Sequence, residues 1–209
     1  MASPTKAIIF DIGNVLFPID FEAAFHAWAK ETGLTFEEVK ERFQFDEVHK
    51  AYERGEKSRE DFRSHVCTLL GKEMKTEAFE NGWNSLLLEA HPEMPRLLQE
   101  LKQNFRLYAL SNTNPIHIDL FQIKYTDILT EIDHAFYSSD IGAIKPEAKA
   151  FQTVLDEIQL KGEDVVFFDD YASNVQGAID FGIPAYRVEN YVELCAQLKE
   201  LDLLAKYFS

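Results

Sequence analysis

A chain of 209 residues with 46% hydrophobic and 27% charged residues has the composition of a water-soluble globular protein, sized for one domain carrying a sizeable insertion. No apolar run approaches the length that crosses a bilayer, and the opening residues show no secretory pattern, so a cytoplasmic location is expected. A net charge of −15 excludes nucleic acid as the expected partner, because a phosphate backbone needs a basic surface.

In chain order, the first element is the apolar run Ala7-Ile8-Ile9-Phe10, a short buried strand. It runs into Asp11, and Gly13-Asn14 then favour a turn. From Asp20 to about Ala90 the pattern becomes helical. Phe21, Phe25 and Trp28 form one stripe, and Phe36, Val39 and Phe43 a second. Phe62, Val66, Leu69 and Leu70 form a third, and Phe79, Trp83 and Leu86–Leu88 a fourth. Gly33, Gly55 and Gly71 punctuate the stretch, and Ser58 with Asp61 marks a helix start. These aromatics read as core. The two cysteines, Cys67 and Cys195, lie far apart without metal spacing and read as reduced thiols.

Beyond His91-Pro92, strands and helices alternate. The pattern predicts a helix over Glu93–Asn104 and a strand over Phe105–Leu110 ending in Ser111-Asn112-Thr113-Asn114-Pro115. A short strand follows over Ala135–Ser138, then a helix over Pro146–Ile158 with proline in its first turn. Val165–Phe168 is a strand ending in Asp169-Asp170, and Val175–Phe181 a helix. Ala185–Val188 is the last strand and Val192–Tyr207 the last helix. Such alternation implies βαβ units on a parallel sheet. The expected architecture is therefore α/β, a Rossmann-like parallel-sheet core with an inserted all-helical cap. The expected boundaries are 1–17 and 91–209 for the core and 18–90 for the cap.

In an open parallel sheet, ligands bind at the carboxyl ends of the strands. Polar groups follow four elements here: Asp11, Ser111-Asn112, Lys145-Pro146 and Asp169-Asp170. Any one of them has an ordinary reading as a turn, cap or surface residue. All four in order at one sheet edge make a site, and three carboxylates there make a cation site.

Four phrases in this order resemble the motifs of the haloacid dehalogenase-like superfamily. They are Phe10-Asp11-Ile12-Gly13-Asn14-Val15, Leu110-Ser111-Asn112-Thr113, Ile144-Lys145-Pro146-Glu147, and Phe167-Phe168-Asp169-Asp170 with Asn174. The resemblance covers essentially the whole chain. With Glu53-Arg54-Gly55-Glu56, it is narrowest toward the subgroup holding bacterial α-glucose-1-phosphate phosphatases and the phosphatase domain of soluble epoxide hydrolases. The resemblance implies a Mg²⁺-dependent phosphatase acting on a small phosphorylated metabolite, with sugar phosphates the first class to consider. It makes Asp11 the nucleophile that forms an aspartyl-phosphate. Mg²⁺, which takes hard oxygen ligands, would be held by Asp11, Asp170 and the Gly13 carbonyl, with Asp169 either a further ligand or behind the ligands. Lys145 would hold the nucleophile and the phosphoryl oxygens together. Ser111 and Asn112 would donate to those oxygens, Gly13 would let backbone N–H groups approach them, and Asn174 would orient the acid pair. The expected state is a monomer or weak homodimer.

The sequence departs from the superfamily pattern at Gly13. Most of its phosphatases carry there a second aspartate that protonates the leaving oxygen, help typically of about 10²–10⁴-fold. Asn14, Asp20 and His49 are the candidate substitutes. Three other readings stay open. One is a metabolite-binding protein impaired at Gly13. Another is the superfamily's metal-free dehalogenase chemistry, against which the adjacent acids Asp169 and Asp170 count. The last is a phosphonatase using Lys50 or Lys57.

Overall fold

The computed structural model describes residues 5–205. In chain order the elements are β1 (Ala7–Phe10), α1 (Phe21–Thr32), α2 (Phe36–Arg42), α3 (Glu47–Glu53), α4 (Arg59–Leu70), α5 (Thr76–Asn84), α6 (Met94–Lys102), β2 (Arg106–Ser111), α7 (Pro115–Lys124), α8 (Thr126–Leu129), β3 (His134–Tyr137), α9 (Ser138–Ile141), α10 (Ala148–Ile158), β4 (Val165–Asp169), α11 (Ala172–Phe181), β5 (Ala185–Arg187) and α12 (Tyr191–Glu200). The strands form one parallel sheet in the order β3-β2-β1-β4-β5. Every strand therefore points its carboxyl end at the same edge.

Continuous apolar runs suit these strands because both faces of the sheet are covered. Along β1, Ile8 and Phe10 face one core while Ala7 and Ile9 face the other. Along β4, Val166 and Phe168 share the first core, and Val165 and Phe167 the second. Helices α10 and α11 cover the second face through Phe151, Val154 and Ala178. Helices α6 and α12 contribute Leu97, Leu101, Leu194 and Leu198 to the first. Among the described residues this gives a doubly wound α/β sandwich.

Helices α1–α5 occupy the helical stretch expected from the aromatic stripes, and their ends follow local chemistry. The Asp20 carboxylate caps α1 by accepting from Glu22 N–H, and Gly33 closes it in the left-handed region. Thr35 with Glu38 and Ser58 with Asp61 form reciprocal capping boxes at the starts of α2 and α4. At the centre of this bundle Trp28 stacks against Phe79 and Trp83 with ring centroids 5.2 and 5.3 Å apart. Gly82 permits that approach, since a Cβ there would lie 2.5 Å from the Trp28 ring.

Three expectations are corrected. Helix α10 starts at Ala148, not at Pro146. The Lys145 backbone is held at both its N–H and its carbonyl by the Asn112 side chain, which keeps this segment out of the helix. Pro115, expected only as the close of the polar run after the strand, instead opens a helix over Pro115–Lys124 that the Asn114 side chain caps. The last helix stops at Glu200, where Leu201 and Asp202 turn the chain, and its expected end at Tyr207 lies outside the described residues.

Candidate active site

Sheet register builds the site. Phe10 sits opposite Phe168 in the parallel ladder. One step further, the Asp11 N–H donates to the Phe168 carbonyl at 2.7 Å. Asp11 and Asp169 are thus the first residues past the apolar part of two adjacent strands. Ligand oxygens of Asp11, Asp169 and Asp170 come within 4.8 Å of one another. The Lys145 ammonium is buried between two of them, with Nζ 2.6 Å from Asp11 Oδ1 and 2.6 Å from Asp169 Oδ2.

The three carboxylates are held differently. Asp169 is fully buried. Its oxygens accept from the Tyr171 N–H at 2.8 Å, from Asn174 Nδ2 at 3.0 and 3.2 Å, and from Lys145. Asp170 accepts from Asn14 Nδ2 at 2.9 Å through Oδ2. Its other oxygen, Oδ1, is buried with no hydrogen-bond partner among the described residues. A buried lone pair with no donor carries a desolvation cost, and a cation relieves it. Three acids facing one lysine also leave a negative excess. Burial pushes the Asp11 carboxyl up to about 7, with Lys145 opposing and Asp169 and Asp170 adding to the rise. Burial raises Asp170 too. Burial works to lower Lys145, but the Asp11 and Asp169 charges outweigh it and hold the ammonium above its ordinary range. All-oxygen donors, two of them carboxylates, fit a hard divalent ion such as Mg²⁺.

Asp11, Gly13, Ser111, Asn112, Lys145 and Asp170 all line one cavity of about 650 Å³. Asp169 does not line it, standing instead behind Lys145. Asn112 reaches the Lys145 backbone with both its Oδ1 and its Nδ2, which leaves one amide N–H to face a ligand. Gly13 is not in the left-handed region. The space above it is filled by Ile19, whose Cδ1 would lie 3.0 Å from an added Cβ.

Two of the substitutes considered for the missing acid are otherwise engaged. Asn14 holds Asp170 and accepts from the Ile19 N–H at 3.1 Å. Asp20 caps α1. His49 does line the cavity, but burial drops its imidazole to about 4. The residue missed from the sequence is Glu53, four positions along α3 from His49, which also lines the cavity. Burial pushes its carboxyl up to about 7 against the opposing charges of Lys145 and Arg54. The phrase Glu53-Arg54-Gly55-Glu56 carried the narrower resemblance, but nothing in it marked which side chain points inward. The rest of the wall, including Phe21, Phe45 and Trp83, is mainly apolar.

The model of the haloacid dehalogenase-like hydrolases matches residues 5–182, so the chain belongs to that family of enzymes. Among its relatives is the D-ribitol-5-phosphate phosphatase of Bacteroides thetaiotaomicron, 25% identical over 88% of this chain and 92% of the relative. A sesquiterpene phosphatase of Aspergillus oryzae is 26% identical over 96% of this chain and 98% of its own. A haloacid dehalogenase-family enzyme of Bacteroides thetaiotaomicron, crystallised with magnesium and inorganic phosphate, superposes with a TM-score of 0.77 at 26% identity, covering 88% of this chain and 93% of the other.

Proposed function

We propose that the protein is a Mg²⁺-dependent phosphatase that hydrolyses a small phosphate monoester through an aspartyl-phosphate on Asp11. The observation that carries this reading is the buried group of Asp11, Asp169 and Asp170 around Lys145, with Asp170 Oδ1 left without a donor. Asp11, Asp170 and the Gly13 carbonyl would hold the metal. When bound, Mg²⁺ supplies charge that offsets the repulsion between phosphoryl oxygens and the attacking carboxylate. Asp169 fixes the Lys145 ammonium beside Asp11, where it meets both the nucleophile and a phosphoryl oxygen. Asn174 and the Tyr171 N–H keep Asp169 aimed at that lysine. Ser111 and the remaining Asn112 N–H donate to the other oxygens. In this reading residues 18–90 form a cap that closes water out of the reaction, over a core of 1–17 and 91–209.

The leaving group lies in the cap-side part of the cavity. Relatives named for a polyol phosphate and for sesquiterpenes bracket the substrate class as phosphorylated metabolites with a small carbon skeleton. The apolar wall of Phe21, Phe45 and Trp83 favours an ester with a hydrophobic face. A phosphonatase is not favoured, since of its two candidate lysines Lys57 does not line the cavity and Lys50 is paired with Glu47 at 2.6 Å.

Phosphate release from a panel of sugar, polyol, aryl and prenyl phosphates, with and without Mg²⁺, tests the reading. Metal-dependent release by the native chain and none by Asp11→Asn is expected. Mg²⁺ binding without release from any ester would instead mark a metabolite-binding protein that lost turnover at Gly13.

A further inference from the structure

The family's usual acid–base side chain is missing at Gly13, and the cavity itself offers its replacement. Four carboxyls line it: Asp11, Glu53, Glu147 and Asp170. Asp11 is paired with Lys145. Asp170 is held by Asn14 and belongs to the cation site. Glu147 is engaged by Arg54 through both Nε and Nη2. Glu53 alone has a carboxyl with no hydrogen bond among the described residues. Its nearest charged-type neighbour is His49, whose Nδ1 lies 3.8 Å away and which burial keeps neutral.

The backbone at Glu53 is anchored to the core beside the phosphate-facing loops. The Ser138 hydroxyl donates to the Glu53 carbonyl at 2.6 Å and accepts from the Thr113 N–H at 2.9 Å. One hydroxyl thus joins the end of α3 to the segment that follows Ser111-Asn112. Arg54 adds the link to Glu147, two residues beyond Lys145. Gly55, at φ 71°, lies so close to the Ser139 carbonyl that a Cβ would stand 2.2 Å from its oxygen. Three consecutive residues are therefore fixed to the core, and the first of them turns a carboxyl into the cavity that Asp11 shares.

We propose that Glu53 is the acid–base residue of this site, protonating the leaving oxygen and then activating water; this rests on the phosphatase reading above. In the first step Asp11 bonds to phosphorus, the bond to the ester oxygen breaks, and that oxygen takes the Glu53 proton to leave as an alcohol. In the second step the Glu53 carboxylate takes a proton from water as its oxygen bonds to phosphorus. The Asp11–phosphorus bond breaks, returning the Asp11 carboxylate, inorganic phosphate and protonated Glu53. A general acid works best with a pKa near the working pH, and burial places the Glu53 carboxyl at about 7 against the charges of Lys145 and Arg54. Two imidazoles and a phenol on the wall are mismatched. Burial takes the imidazoles of His49 and His117 to about 4 and about 3 and raises the Tyr171 phenol above its ordinary value.

Leaving-group dependence tests the assignment. The native chain, Glu53→Gln and Glu53→Asp are compared by kcat/KM on p-nitrophenyl phosphate, whose phenolate leaves without a proton, and on a primary alkyl phosphate, whose alkoxide needs one. Glu53→Gln is expected to lose about 10²–10⁴-fold on the alkyl ester and at least about tenfold less than that on the aryl ester. It should also show a burst of nitrophenolate as phosphoenzyme accumulates for want of the base. Glu53→Asp should recover part of the alkyl activity. An equal loss on both esters, the mark of a merely structural role, overturns the assignment, as does no loss on either. A native chain that releases phosphate from neither ester, or an Asp11→Asn variant that still does, brings down the phosphatase reading itself and is distinguishable from failure at Glu53.

Discussion

Asn112 and Lys145 grip each other through one amide plane: Asn112 Oδ1 accepts the Lys145 N–H at 2.7 Å, and its Nδ2 donates to the Lys145 carbonyl at 2.9 Å. This pair joins the end of β2 to the loop before α10, and so sets where the ammonium of Lys145 enters the acid cluster. Asn112→Asp keeps the acceptor and the shape but loses the donor, and sets a carboxylate against a carbonyl. The expected outcome is a stability loss of about 1–3 kcal/mol, read by denaturant unfolding. A fall in kcat and a rise in KM should accompany it, because the lysine is displaced and the Asn112 N–H that faces the phosphoryl oxygens gives way to a carboxylate that repels them.

Mg²⁺ should stabilise the folded chain through Asp170. A ligand that binds only the folded state adds about 2.7 kcal/mol at a concentration 100 times its Kd. Thermal unfolding with Mg²⁺ and with chelator should therefore differ for the native chain. Asp170→Asn keeps an acceptor for Asn14 but removes the charge and weakens the orphaned oxygen's call for a cation. Its melting temperature with chelator should match or exceed the native one, and the increment on adding Mg²⁺ should largely vanish. An undiminished increment would move the cation away from Asp170.

The parts of this molecule that were legible in the sequence are those with a periodic or terminal signal. The β1 and β4 runs announce themselves as apolar stretches ending on acids, and parallel register then forces Asp11 beside Asp169. The helical stretch between β1 and α6 shows through its aromatic spacing, with Ser58 and Asp61 forming the expected cap. Long-range choices between equivalent donors carry no such signal. Nothing local says that Asn112 spends its amide on the Lys145 backbone, or that Asp169 is enclosed by donors while Asp170 keeps an oxygen bare. Helix α7 went unread because Asn114-Pro115 serves equally as a turn and as a cap with proline in the first turn. Glu53 was hidden for a related reason. A glutamate near the end of a short helix is ordinary, and only the Ser138, Glu147 and Ser139 contacts of residues 53–55 turn it inward.

His117 should make the fold acid-sensitive. Its ring is buried beside Trp83, with centroids 5.0 Å apart, and its Nδ1 lies 3.1 Å from Asn114 Nδ2. Burial lowers its pKa from 6.5 to about 3. Between those values the unfolded chain binds a proton that the folded chain does not. Stability contributed by the neutral ring is therefore whole above pH 6.5 and is lost as the pH falls toward 3. Taking the pH from 6.5 to 4.5 should cost the native chain on the order of 2 kcal/mol more than His117→Gln. Chemical denaturation of both proteins across that window checks it, and parallel curves would refute it.

Phe45 tests which face of the substrate the cap reads. It is 53% exposed, an unusual exposure for a large ring, and it meets Phe21 edge-on with centroids 5.0 Å apart. Phe21 in turn lies 5.9 Å from Trp83, so the three rings form a continuous apolar wall in the cavity that Asp11 shares. Part of the Phe45 exposure is thus cavity wall that a leaving group would cover. Phe45→Ala removes contact area worth about 1–2 kcal/mol at 25 cal/mol per Å². The expected result is a rise in KM of about 5–30-fold for a prenyl or aryl phosphate. The KM of a polyol phosphate, whose hydroxyls gain little from an apolar ring, should change far less, and the inhibition constant of inorganic phosphate should not change. Equal rises for both esters would place the carbon skeleton elsewhere in the cavity and leave Phe45 as packing between α2 and α3.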